Sequence, residues 1–159
     1  MIKSDYEVNR KIGDAYLPGV KKILQDNASL FVCFVDSSFK QDTEQACDCI
    51  IEVKGGTIAI RSRRPTNYRD FTIRSESFCK KRTEYQKLID GFGKWYIYTW
   101  GATNTKILGY AIIDLDVFRD KYILKPDAKN IKNIDGTKFH AWNVSSIPGC
   151  IIKIDKVKA

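Results

Sequence analysis

A chain of 159 residues, 43% hydrophobic, 12% aromatic and 29% charged, is long enough for one domain with a sizeable core and too apolar to be a disordered tail. Its formal net charge of +8 favours polyanionic partners, and no apolar run approaches the roughly 20 residues needed to cross a bilayer, so no membrane partner is expected. The five cysteines (Cys33, Cys47, Cys49, Cys79 and Cys150) are odd in number and lack a CxxC pair, and the start MIKSDYEVNRKIG has no apolar signal region; this argues against a disulfide framework and for an intracellular, cytoplasmic protein.

The first element is a helix. SDYE at 4–7 has capping-box form, Ser4 reaching forward and Glu7 reaching back. Gly13 weakens that helix, and LPG at 17–19 is expected to break or restart it before VKKIL continues to about Leu24. LFVCFV at 30–35 fits a strand or a buried helical turn equally well. Residues 47–54 and 57–63 read as two strands of a hairpin around Gly55-Gly56, and DFTIR at 70–74 as a third strand. RTEYQKLIDGFG has helical spacing and ends in glycines; KWYIYTWG at 94–101 is an aromatic strand; ILGYAIIDLDVFRD is a strand running into a helix start near Asp114 and Asp116. The last 35 residues read as loop with a final strand CIIKI. This order predicts an α+β (mixed α/β) domain with one central mixed sheet flanked by helices.

Charge is distributed unevenly. Residues 57–94 carry ten basic and four acidic residues, against seven and nine in 1–56. The positive surplus thus begins just past the expected hairpin turn, where RSRRPTNYRDFTIR holds Arg61, Arg63, Arg64, Arg69 and Arg74 with Tyr68 and Phe71 between them. Arginines interleaved with aromatics suit phosphate contacts and base stacking, and DNA or RNA is the expected partner.

With Gly55 and Gly56 as the turn, alternation puts Asp48, Ile50, Glu52, Ala59, Arg61 and Arg63 on one face, and Cys47, Cys49, Ile51, Val53, Ile58, Ile60 and Ser62 on the other. The second face is expected to be the core side. The first is a charged strip, with Asp48 opposite Arg63. The plain alternative for that strip is a solvated strand face with cross-strand ion pairs of little energetic consequence.

Other residues carry weaker signals. Cys47, Cys49, Cys79 and His140 match no standard zinc spacing, and buried thiols are the simpler reading. His140 reads as an ordinary half-buried residue. Asp114 and Asp116 suit helix capping better than metal binding. Trp95, Tyr96, Tyr98 and Trp100 resemble a stacking platform, but their alternation assigns one face of the strand to the core. GGTIA is not a P-loop and no GxGxxG occurs, so no nucleotide cofactor is expected.

An N-terminal helix, an aspartate on the first strand of a hairpin, a short turn and paired charges two apart on the second strand resemble the PD-(D/E)xK nuclease superfamily. TEYQKLIDGF, WYIYTW and YAIIDLDVFRD look like the later elements of the same core. More narrowly, the chain resembles small phage-type proteins with this hairpin and a following RDFTIRS segment. The resemblance covers about residues 44–120 of a single domain 1–159, between an N-terminal helical segment (1–28) and a C-terminal extension (121–159). It implies a restriction-endonuclease-like core, magnesium, phosphodiester hydrolysis and, for many members, a homodimer.

Carried over position by position, the metal-binding aspartate falls on Asp48, the second acidic position on Arg61 and the lysine position on Arg63. This departs from the pattern, because a guanidinium offers donors only and cannot ligate magnesium. Three explanations stand side by side. The second carboxylate has migrated, to Glu44, Glu84 or Glu7, or to Glu52, although Glu52 is about 13 Å from Asp48 along a strand; or the site is dead and the arginines form a phosphate-binding surface; or the register is shifted by one. In a working site Arg63 would stabilise developing charge in place of lysine.

Overall fold

The computed structural model describes residues 2–36, 49–53, 55–63, 69–76, 82–101, 106–133 and 136–156, with backbone alone for 2–10, 12, 33–36 and 49–53. The fold is mixed α+β. Helix α1 (Ile2–Asp26) leads through a 3-10 turn (Ala28–Phe31) into β1 (Val32–Asp36), β2 (Cys49–Val53), β3 (Ile58–Arg63) and β4 (Asp70–Glu76). Helix α2 (Glu84–Ile89), β5 (Trp95–Gly101), β6 (Ile107–Asp114) and α3 (Leu115–Lys121) follow, then β7 (Ala128–Lys132), β8 (Lys138–Asn143) and β9 (Ile151–Lys156).

Among the described residues the strands form two larger sheets and a further pair. One sheet has the order β3-β5-β6-β9, with β3 parallel to β5 and the other pairs antiparallel; the second has the antiparallel order β4-β8-β7. Strand β2 pairs antiparallel with β1, Glu52 opposite Cys33 and Ile51 opposite Phe34.

This pairing corrects the expected hairpin. Among the described residues β2 and β3 share no ladder, and β3 takes β5 as its neighbour instead. The intervening β4 and α2 return β5 alongside β3 in parallel, and the residues β5 presents there are buried in the core.

Strand β5 is buried on both faces because each face of the four-stranded sheet is covered. On one side Tyr16, Val20 and Ile23 of α1, at helical spacing, pack on Ile97, Ile107, Tyr110 and Ile112. Pro18 lies inside this helix, so the expected break at LPG does not occur; the buried stripe continues across the proline from Tyr16 to Val20. On the other side the second sheet contributes Phe71, whose ring meets those of Tyr96, Tyr98 and Phe118 edge-on at 5.2–5.3 Å. Trp142 closes that core and donates its indole N–H to the carbonyl of Tyr122 at 2.9 Å.

The C-terminal region also departs from its loop reading. Strands β7 and β8 lie within it, and β8 supplies Ala141 and Trp142 to the core. No helix among the described residues is long and apolar enough to cross a membrane.

Candidate functional site

Strand β3 is an edge strand among the described residues, and its alternation places Ala59, Arg61 and Arg63 beside Tyr96, Tyr98 and Trp100 of β5. That is the face turned toward the second sheet. The two arginines therefore sit between layers rather than on a solvated strip, which corrects the expected outward charged face. Ile60, assigned by alternation to the core side, is instead 42% exposed at the sheet margin. Ile58 does pack under α1 as expected.

Each arginine meets a carboxylate from another element. Arg63 is ion-paired with Asp70, the first residue of β4. Arg61 donates through Nη1 to Glu84 Oε2 at 2.6 Å and to the Thr72 carbonyl of β4 at 3.2 Å. Glu84 reaches this point because α2 begins on a capping box. Thr83 Oγ1 accepts from the Gln86 amide at 3.3 Å, and Gln86 Oε1 accepts from the Thr83 amide at 2.9 Å, which sets Glu84 in the first turn.

Glu84 collects three donors. Besides Arg61, the Arg74 amide donates to Oε2 at 3.2 Å and the Tyr96 hydroxyl donates to Oε1. Beside it, the Thr72 and Tyr98 hydroxyls are hydrogen-bonded at 2.8 Å. Burial acts to lower the Arg61 pKa, but the charge of Glu84, with the hydroxyls of Tyr96 and Tyr98, outweighs it, and the pKa is raised. Burial first, and then Glu84, pushes the Tyr96 phenol well above its ordinary value. The cluster is thus a salt bridge between Arg61 and Glu84 with the Tyr96 hydroxyl donating into it.

The expected site residues fall into three groups. Arg61, Arg63 and Glu84 are brought together. Arg69 and Arg74 are exposed at β4. Asp48, Glu44, Arg64 and Tyr68 lie outside the described residues, as do Cys47 and Cys79, and of Glu7 and Glu52 only the backbone is described. The expected stacking platform is corrected: Trp95, Tyr96, Tyr98 and Trp100 are all buried in the core.

Three partners were not singled out by sequence: Asp70, Thr72 and Tyr96 in its role toward Glu84. Asp70 left a signal, as the one acid within RSRRPTNYRDFTIR. The other two are brought in by layer packing, which no local pattern encodes.

The described residues do not fit magnesium. Both oxygens of Glu84 accept protein donors, one from a guanidinium, and a cation there would have to displace Arg61. Among the described residues no three histidine, cysteine, aspartate or glutamate side chains converge as a metal site.

Comparison of the chain with protein-family models, with curated proteins and with solved structures finds no match. The functional argument therefore rests on the geometry of this cluster and on the charge around it.

The remaining candidates have ordinary structural roles. Asp114 caps α3, its Oδ1 accepting from the amides of Asp116 at 2.9 Å and Val117 at 3.2 Å. Asp116 is paired with Lys94 and Arg119, whose hydrogen bonds hold its carboxyl below the usual value. His140 Nδ1 accepts from the Asn130 amide at 3.3 Å, and its ring meets Tyr85 edge-on at 4.7 Å.

Proposed function

We propose that the protein is a nucleic-acid-binding module, related in design to the PD-(D/E)xK nucleases, that uses the arginine-bearing margin where β3 meets β4. The observation that carries this reading is the pairing of Arg61 with Glu84 and of Arg63 with Asp70. These carboxylates hold two guanidiniums two residues apart on one edge strand, at the residues that the resemblance assigns to the second acid and the lysine of the nuclease pattern. Each guanidinium has five donors, so a pairing made through Nη1 leaves donor capacity for phosphate oxygens. The exposed Arg69 and Arg74 supply longer-range attraction, within a stretch carrying ten basic and four acidic residues.

The test is binding of single- and double-stranded DNA and RNA, measured by fluorescence anisotropy across a salt series. Log affinity is expected to fall linearly with log salt, and Arg69→Ala and Arg74→Ala each to reduce the slope by about one. Absence of binding at low salt would sink the proposal. The same substrates are incubated with magnesium or manganese: cleavage abolished by Asp48→Ala would replace the binding module by a working nuclease.

A further inference from the structure

The opposite face of the four-stranded sheet carries a second site. Between the last turns of α1 and the β6–β9 edge lies a cavity of about 600 Å³, within the usual range for small-molecule sites, about 300–1,000 Å³. Its floor is apolar, made by Ile23, Ile107 and the ring of Tyr110, all buried. Gly19 lets the helix approach closely, since a Cβ there would lie 2.8 Å from the Ile107 side chain.

Its rim is cationic: Lys22, Lys106, Lys153 and Lys156 line it, against Asp26 and Asp155. Lys22 is paired with Asp26 at 3.3 Å, and Lys153 reaches Asp155 at 3.9 Å. Among the described residues no carboxylate pairs with Lys106 or Lys156. The surplus of two positive charges matches a phosphomonoester, which carries about −1.5 to −2 at neutral pH.

Two buried polar side chains, Asn27 and Tyr110, line this cavity. The Tyr110 hydroxyl accepts from Asn27 Nδ2 at 3.1 Å, and Asn27 is itself buried and anchored by a 2.8 Å bond to the Ile23 carbonyl. With its oxygen engaged in this way, the phenol keeps its own hydrogen to donate. An apolar floor with a fixed phenol donor and a rim that carries, among the described residues, a surplus of two positive charges suits a phosphate attached to a flat apolar body.

We propose that this cavity binds a phosphomonoester carrying such a body, a nucleoside monophosphate being the simplest, with Lys106 and Lys156 holding the phosphate and Tyr110 donating to the base. The site is separated from the arginine margin by the sheet itself, so the two readings stand or fall independently.

The test is calorimetric titration of the full chain with AMP, GMP, CMP and UMP, with ribose 5-phosphate and inorganic phosphate for comparison. At least one nucleotide is expected to bind at least about tenfold more tightly than either comparison ligand. The double variant Lys106→Ala, Lys156→Ala changes two exposed side chains and is expected to weaken nucleotide binding at least about tenfold, consistent with loss of charge-assisted contacts. Tyr110→Phe is expected to weaken nucleotide and leave inorganic phosphate unchanged, while Arg69→Ala and Arg74→Ala leave nucleotide affinity as it is. The proposal is overturned by absence of nucleotide binding at millimolar concentration, by ribose 5-phosphate binding as tightly as the nucleotides, or by affinity that survives loss of both lysines.

Discussion

Arg61 and Glu84, on a strand and on a helix far along the chain, meet at 2.6 Å with each side chain about one-third exposed or less. The pair is neither a surface bridge nor a fully buried one. Its geometry is over-determined: Arg61 is also held by the Thr72 carbonyl, and Glu84 by the Arg74 amide and the Tyr96 hydroxyl.

The two side chains should therefore be energetically coupled. Glu84→Ala leaves the Tyr96 hydroxyl without its acceptor and the Arg61 guanidinium without its counter-ion, and is expected to destabilise by about 2–3 kcal/mol. Arg61→Ala combined with Glu84→Ala should cost clearly less than the sum of the two single changes. Urea unfolding of the four proteins measures this. Additive effects would mean that the contact has no energetic weight.

The docking of α1 depends on a missing side chain. A Cβ at Gly101 would lie 2.5 Å from the Tyr16 hydroxyl oxygen and 2.6–2.8 Å from its ring carbons. Gly101→Ala is expected to push Tyr16 off the sheet and to destabilise by about 1–3 kcal/mol. Tyr16→Leu should relieve much of that loss when combined with Gly101→Ala, read from thermal unfolding midpoints.

His140 gives a pH dependence of known sign. Burial first, and then Lys129, lower its pKa, with Glu76 acting the other way. A histidine held neutral in the folded state contributes stability that is whole above its ordinary value near 6.5. That contribution is lost as the pH falls from there through the depressed folded value. The unfolding midpoint should drop between pH 7.5 and 5.5, and the drop should shrink in His140→Phe. An equal drop in both proteins would assign the effect to other groups.

Cys150 should be chemically silent. Burial pushes its thiol up to about 12, and Sγ–H donates to the Ile147 carbonyl at 3.2 Å. At pH 8 the peptide containing Cys150 is expected to resist alkylation in the native protein and to react within minutes in denaturant, as followed by mass spectrometry. Rapid native alkylation would place this thiol nearer the surface.

Local chemistry made several elements legible without coordinates. RTEYQKLIDGFG shows helical spacing and closing glycines, and Asp114 can satisfy the first amides of α3 through its own side chain. WYIYTWG is a strand because its aromatic residues suit a pleated, buried surface. The mixed α+β class follows from the order of such segments. The residues of the arginine margin were visible in the same way, as a cluster of types along one stretch.

Strand partners and strand faces were decided by tertiary structure. A glycine pair between two apolar runs predicts a hairpin from sequence separation alone, yet β3 joins β5 and β2 joins β1, because the choice depends on which apolar surface is available to each strand. Alternation likewise separates the two faces of β3 but does not say which one is covered. With α1 on one face of the sheet and a second sheet on the other, both are covered at the centre of the sheet, while at the β3 margin Arg61 is half-buried and Ile60 stays exposed. The acids that hold the arginines come from the next layer. Glu84 lies 23 positions from Arg61, a relation that exists only once the two layers have packed.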